Sequence, residues 1–195
     1  MRSSRGCIVA GLKRAGAKGK WKAVMTKAVK HGMGPIAAGN ARLFILGSLP
    51  GDASLAAERY YAHPTNQFWR LLGDAIGEPL AELDYEQRLR RLAKRGVGLW
   101  DVVASAERAG SLDGAIRQAG LNPIERLRDD FPELRAIAFN GGTASRTGRK
   151  MLDTVSGVEL IDLPSSSAAY TRPFAEKAAV WRQLGRFCSF GLSEA

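Results

Sequence analysis

From residue 41 onward the chain alternates two hydrophobic rhythms. "RLFILGS" (42–48) is a short unbroken apolar run stopped by glycine and serine, the pattern of a strand buried on both faces. "FWRLLGDAIG" (68–77) instead spaces Phe68, Leu71, Leu72, Ala75 and Ile76 along one side of a helix. "DYEQRLRRLAKRG" (84–96) predicts a second helix, with Asp84 as its N-cap and Gly96 as its stop. "VGLWDVV" (97–103) fits either a strand or a turn. "NPIERLRDDFP" (122–132) predicts a helix capped by Asn122 with Pro123 in its first position. "RAIAFNG" (135–141) is a second buried strand, "TASRTGRKMLDTV" (143–155) a helix, "VELIDLPSSS" (158–167) a third strand, and "RPFAEKAAVWRQLGRFCSF" (172–190) a closing helix.

Strands alternating with helices predict an α/β fold: a mostly parallel central sheet with helices on both faces. Ligands of such sheets bind beyond the carboxyl ends of the strands. Three stretches fall there: "GSLPGDAS", "FNGGTAS" and "LPSSSAAYTRP". They should converge on one cleft.

Length and charge refine this picture. The 195 residues are 45% hydrophobic, enough for one domain with its own core. Residues 1–40 carry nine Lys or Arg and no acid, which leaves twenty basic and nineteen acidic residues beyond them. Nearly all of the net charge of +10 is therefore terminal. The expected organisation is a basic, flexible extension over residues 1–40 and one α/β domain over 41–195. Such an extension is either a solvated tail or an arm for a polyanion. The apolar run "CIVAGL" is too short for a membrane span or a signal-peptide core. Arg and Ser without acids also suit a transit peptide, but the rest of the chain reads as cytoplasmic. Cys7 and Cys188 are too few and too distant for a thiolate metal site or a disulfide framework. The reading includes no cofactor, no metal and no membrane partner.

Familiar motifs narrow the chemistry further. "GGTASRTGRK" is not a phosphate loop, because Thr143 replaces the required glycine and Arg149 the lysine. No G-x-S-x-G elbow occurs. Ser48 or Ser165 to Ser167 with His63 as base remain as a nucleophile reading. Alternatively, the serine run caps a helix or offers backbone donors to an anion.

The order "GSLPG" (47–51), "YYAHPTNQFW" (60–69), "AFNGGTA" (138–144) and "LPSSSAAY" (163–170) resembles the uracil-DNA glycosylase superfamily, in particular its hypoxanthine-DNA glycosylase branch. The resemblance spans residues 43 to about 187. It implies a three-layer α/β/α sandwich with a short, mostly parallel sheet. It also implies a monomer that binds duplex DNA containing deaminated bases, extrudes one base and hydrolyses its N-glycosidic bond without a metal. Leu49 stands where many relatives place an Asp or Asn that orients the attacking water. Leu163 stands where the uracil enzymes have a histidine. The branch resembled uses instead the asparagine of "HPTNQFW", which is Asn66.

On this resemblance Asn66 orients the water, while Gly47, Ser48, Leu49, Pro50 and Gly51 let backbone approach the flipped nucleotide. Phe68 either stacks on the extruded base or begins the core stripe of its helix, to which Trp69 belongs. Tyr60, Tyr61 and His63 line the pocket, His63 alternatively being structural. Asn140 presents a donor and an acceptor that match the carbonyl and N–H edge of a deaminated base, or else closes a turn before two glycines. Pro164, Ser165, Ser166 and Ser167 face DNA phosphates, Ala168, Ala169 and Tyr170 the groove, and Arg172 and Lys177 are further phosphate contacts. Two other readings stay open: a mismatch-type uracil enzyme, and a non-catalytic basic nucleic-acid-binding protein.

Overall fold

A computed structural model of the chain describes residues 29–153 and 157–188. Its strands in chain order are β1 (Val29–His31), β2 (Leu43–Gly47), β3 (Val97–Asp101), β4 (Val103–Glu107), β5 (Arg117–Leu121), β6 (Ala136–Asn140) and β7 (Glu159–Leu163). Its α-helices are α1 (Asp52–Ala57), α2 (Phe68–Ile76), α3 (Tyr85–Arg95), α4 (Leu127–Asp130), α5 (Gly142–Met151) and α6 (Phe174–Trp181).

Four strands form a parallel sheet in the order β3-β2-β6-β7. The apolar run of β2 is buried on both sides because its side chains alternate between two cores. Leu43 and Ile45 pack with α2, α3 and α6 through Leu71, Leu72, Leu92 and Trp181. Phe44 and Leu46 face the opposite layer, with Leu127 of α4, Ala144 of α5 and Phe139. These four side chains of β2 are 0% exposed, each burial contributing about 1.5–3 kcal/mol. The result is the expected three-layer α/β/α arrangement, and "VGLWDVV" divides into β3, paired in register with β2, and the first residue of β4.

Asp84 caps α3 and Gln87 returns the bond to the Asp84 backbone N–H, while Gly96 ends the helix at φ 69°. Other segments differ from the sequence pattern. Asn122 does not cap a helix: it is buried and donates from Nδ2 to the Asp101 carbonyl at 2.8 Å. The chain then makes one 3-10 turn, Ile124–Arg126, before the short α4. Helix α5 stops at Met151, and residues 154–156 of the expected helix lie outside the described residues. The closing helix changes at Arg182 to a 3-10 turn through Phe187.

A second, antiparallel sheet in the order β1-β4-β5 was not legible in the sequence. It incorporates residues from the expected extension. Val29 to His31 pair with Glu107 to Ser105, Ile36 exchanges backbone bonds with Leu99, and the Met33 carbonyl accepts from Trp100 Nε1 at 3.1 Å. Residues 29–40 are thus packed on the domain rather than free of it. Residues 1–28, with eight of the nine basic side chains, lie outside the described residues.

Candidate active site

The three predicted stretches converge on one cleft, a cavity of about 650 Å³ beyond the carboxyl ends of β2, β3 and β6. Its walls include Gly47 to Gly51, Tyr60, Tyr61, His63, Asn66, Asn140, Ser165 to Ser167 and Tyr170. Pro164 and Arg172 are not among its lining residues. Pro164 accepts from Trp181 Nε1 through its carbonyl, and Arg172 pairs at the surface with Glu176.

Asn66 is half-buried in the wall, at the start of α2. Its Oδ1 accepts the Phe68 backbone N–H at 3.0 Å, which fixes the orientation of the amide. Oδ1 keeps a second lone pair and Nδ2 keeps its hydrogens. Those are the groups able to hold a water. Phe68, expected as a stacking face, is 0% exposed and does not line the cavity. Tyr61 covers it, with ring centroids 3.5 Å apart and planes 6° from parallel, and two tryptophans meet Phe68 edge-on. The ring offered to the cavity is therefore Tyr61, backed by Phe68. Trp69, 5% exposed, belongs to the core as expected. Exposed His63 bonds locally to Thr65, and among the described residues no hydrogen bond joins it to Ser48 or Ser165 to Ser167, so no serine–histidine dyad forms.

Asn140 ends β6 and is 9% exposed. Its Nδ2 donates to Ser166 Oγ at 2.8 Å and its Oδ1 accepts the Ser166 backbone N–H at 2.9 Å. Half of its hydrogen-bonding capacity thus ties the serine loop to the sheet, and one N–H and one lone pair are left for a base. Ser166, 1% exposed, is a staple rather than a phosphate contact: its carbonyl also accepts from Gln67 N. Gly141 makes room for this loop, since a Cβ at its φ of 99° would meet Ser165 Cβ at 3.1 Å. Lys177 also proves internal. It is 1% exposed, and its Nζ donates to Gln67 Oε1, the Ser167 carbonyl and the Tyr170 carbonyl at 3.1, 3.4 and 2.7 Å. Burial pushes its pKa down. Tyr170 (41% exposed) and Leu112 (64% exposed) are exposed apolar residues among the lining residues.

Three charged residues of the site carry no clear mark in the sequence. Asp101 ends β3 opposite Gly47, is 3% exposed, and has no hydrogen-bond partner for Oδ2 among the described residues. Burial pushes its pKa up to about 7, with Asp113 adding to the rise while Tyr60 and Arg108 oppose it. Asp113 accepts from Ser48 Oγ at 2.5 Å. Arg108, 3% exposed, donates to the Leu49 and Pro50 carbonyls and so clamps the first loop. An apolar run ending in a carboxylate, "VGLWD", was the available signal for Asp101. Arg108 and Asp113 come from the β4–β5 connection, where nothing in the sequence distinguishes them from surface charge.

A sheet closed at its carboxyl ends by an amide-bearing wall, a tyrosine platform and a serine loop defines a cleft with room for a nucleotide. The Uracil DNA glycosylase superfamily model matches residues 33–185, and the chain belongs to that superfamily, the DNA glycosylases that hydrolyse N-glycosidic bonds. Within it, the chain is 38% identical over 154 residues to the hypoxanthine DNA glycosylase of Methanosarcina barkeri, covering 79% of this chain and 96% of that one. It is 39% identical over 158 residues to the hypoxanthine DNA glycosylase of Methanosarcina acetivorans, covering 81% and 99%. A solution NMR structure of a uracil DNA glycosylase candidate from Methanosarcina acetivorans superposes with a TM-score of 0.70 at 40% identity, over 80% of this chain and 99% of that chain.

Proposed function

We propose that this chain removes hypoxanthine from deoxyinosine in duplex DNA and leaves an abasic site, acting as a monomer in the cytoplasm. The observation that carries the reading is the pairing of Asn66 in the cavity wall with apolar side chains at two positions where uracil specialists are polar. Leu49 packs with Val103 and Ala106, and Leu163 is buried in the main core. Neither can orient water or bond a departing base.

The reaction builds positive charge on the sugar and negative charge on the base, so the site must hold a water at C1′ and engage the base. The Asn66 amide suits the first task and the spare N–H and lone pair of Asn140 suit the second. Tyr61 gives the base a flat apolar face. Incubation with duplexes bearing hypoxanthine, uracil, xanthine or no lesion, followed by alkaline cleavage, tests the reading. Strand scission at deoxyinosine is the expected result. Preferential scission at uracil would make it a uracil enzyme, and binding without scission a non-catalytic DNA-binding protein.

A further inference from the structure

Among the described residues, Asp101 is the one buried carboxyl of the cavity that the mechanism above leaves idle. Its position is built rather than incidental. Gly47 and Asp101 are register partners at the ends of β2 and β3, and a Cβ on Gly47 would collide with Asp101 Oδ1 and lie 3.2 Å from the Tyr61 hydroxyl. The glycine therefore leaves room for a carboxyl and a phenol at the cavity floor. The carboxyl is only half satisfied: Tyr60 engages it, but among the described residues Asp101 Oδ2 has no hydrogen-bond partner, and the Tyr61 hydroxyl has only Asn140 beside it. Buried polar atoms without partners are costly, and in a ligand cavity they point to a ligand that supplies the partner.

We propose that Asp101 is a further catalytic residue, the general acid that protonates the departing purine. The inference rests on the reading of a purine substrate. In the step, the Asp101 carboxyl proton passes to N7 of the flipped base. The C1′–N9 bond then breaks, its electron pair stays on the base, and the base leaves neutral. The sugar cation takes the oxygen of the water held at Asn66, and the proton that this water sheds returns through solvent to the Asp101 carboxylate. Atoms and charge balance with no co-reactant. A purine leaving group has an imidazole nitrogen to receive the proton, and a pyrimidine does not, so the acid serves the substrate that the site is read to favour.

The surroundings suit an acid that works near neutrality. The groups facing Asp101 are Tyr60 and Tyr61 from the loop before α2, and Arg108 and Asp113 from the β4–β5 connection. Burial raises the carboxyl into the neutral range, and the two tyrosines are pushed further up from their ordinary value, away from it.

The test is the single-turnover rate of hypoxanthine release from a deoxyinosine duplex, enzyme in excess, between pH 5.5 and 9. For the wild-type chain the rate should be level below about pH 7 and fall about tenfold per pH unit above it. Asp101→Asn should lose about 10²- to 10⁴-fold at pH 6.5 and show no alkaline limb, while binding a duplex with 2′-fluoro-deoxyinosine, whose bond resists cleavage, as tightly as wild type. His63→Gln should keep the limb. A wild-type rate that is flat or rises through pH 7 overturns the general-acid role whether or not the variant folds, and a rise would make Asp101 a base toward the water. Release of hypoxanthine with such a profile leaves the substrate reading standing. No release at any pH overturns both.

Discussion

A single carboxyl, Asp101, sets opposite demands on stability and on chemistry. Its pKa rises on folding from an ordinary 3.8 to about 7, so between those values the native state binds a proton that the unfolded state lacks. The contribution of this group to stability is therefore highest in acid, falls as pH rises through that window, and levels off above about pH 7. The full span corresponds to roughly 4 kcal/mol. Asp101→Asn, which cannot ionise, should unfold at a higher denaturant concentration than wild type at pH 8 and at a similar one at pH 4. Equal midpoints at pH 8 would show that the carboxylate is not destabilised by burial. At this scale the sequence was half legible. Asn66, Tyr61 and Asn140 lie in motifs whose residue types announce their chemistry, and all three reach the cavity. Phe68 departs from expectation because helical spacing says which side of α2 is apolar but not that Tyr61, at φ 54°, folds back over it. A positive φ on a tyrosine leaves no mark in the pattern.

Among the elements, the loop from Pro164 to Tyr170 shows how the fold holds a functional segment with few contacts of its own. Asn140 staples it at Ser166, and Lys177 gathers the Ser167 and Tyr170 carbonyls and the Gln67 side chain from within α6. Lys177→Met keeps the aliphatic stem and leaves those acceptors without a donor, at a cost of about 1–3 kcal/mol. The expected outcome is that loss in denaturant unfolding together with slower base release. Unchanged stability would mean that the ammonium is not the clamp. Elements buried on two faces, β2 and β6, were readable because every residue must be apolar. The small sheet was not, since all five residues of β5 are exposed and β1 is only partly covered. Short strands that pair mainly through backbone carry no hydrophobic rhythm to read.

At the scale of the whole molecule, the boundary between arm and domain lies within the basic segment. Lys30 pairs with Asp52 and donates to the Gly110 carbonyl at 2.8 Å, and β1 completes the sheet beside the cavity. A chain starting at residue 29 should fold and release base as the full chain does, with weaker DNA affinity at low salt and a flatter salt slope. A chain starting at residue 41 loses β1 and the Met33 and Gly34 carbonyls that accept from Tyr60, and should be less stable. Equal melting temperatures for the two truncations would show that residues 29–40 add nothing to the domain.

In the proposed mechanism, base release depends on a water held by Asn66 attacking the sugar of deoxyinosine. The most direct measurement is chromatographic detection of free hypoxanthine from a duplex with one deoxyinosine, under single turnover, for the wild-type chain and for Asn66→Ala. Wild type should release one equivalent of hypoxanthine per duplex, faster than it releases uracil from the matched duplex. Asn66→Ala should bind the same DNA with nearly unchanged affinity and release base at least about a hundredfold more slowly. Wild-type rates in that variant, or uracil released as fast as hypoxanthine by the wild-type chain, would contradict this mechanism.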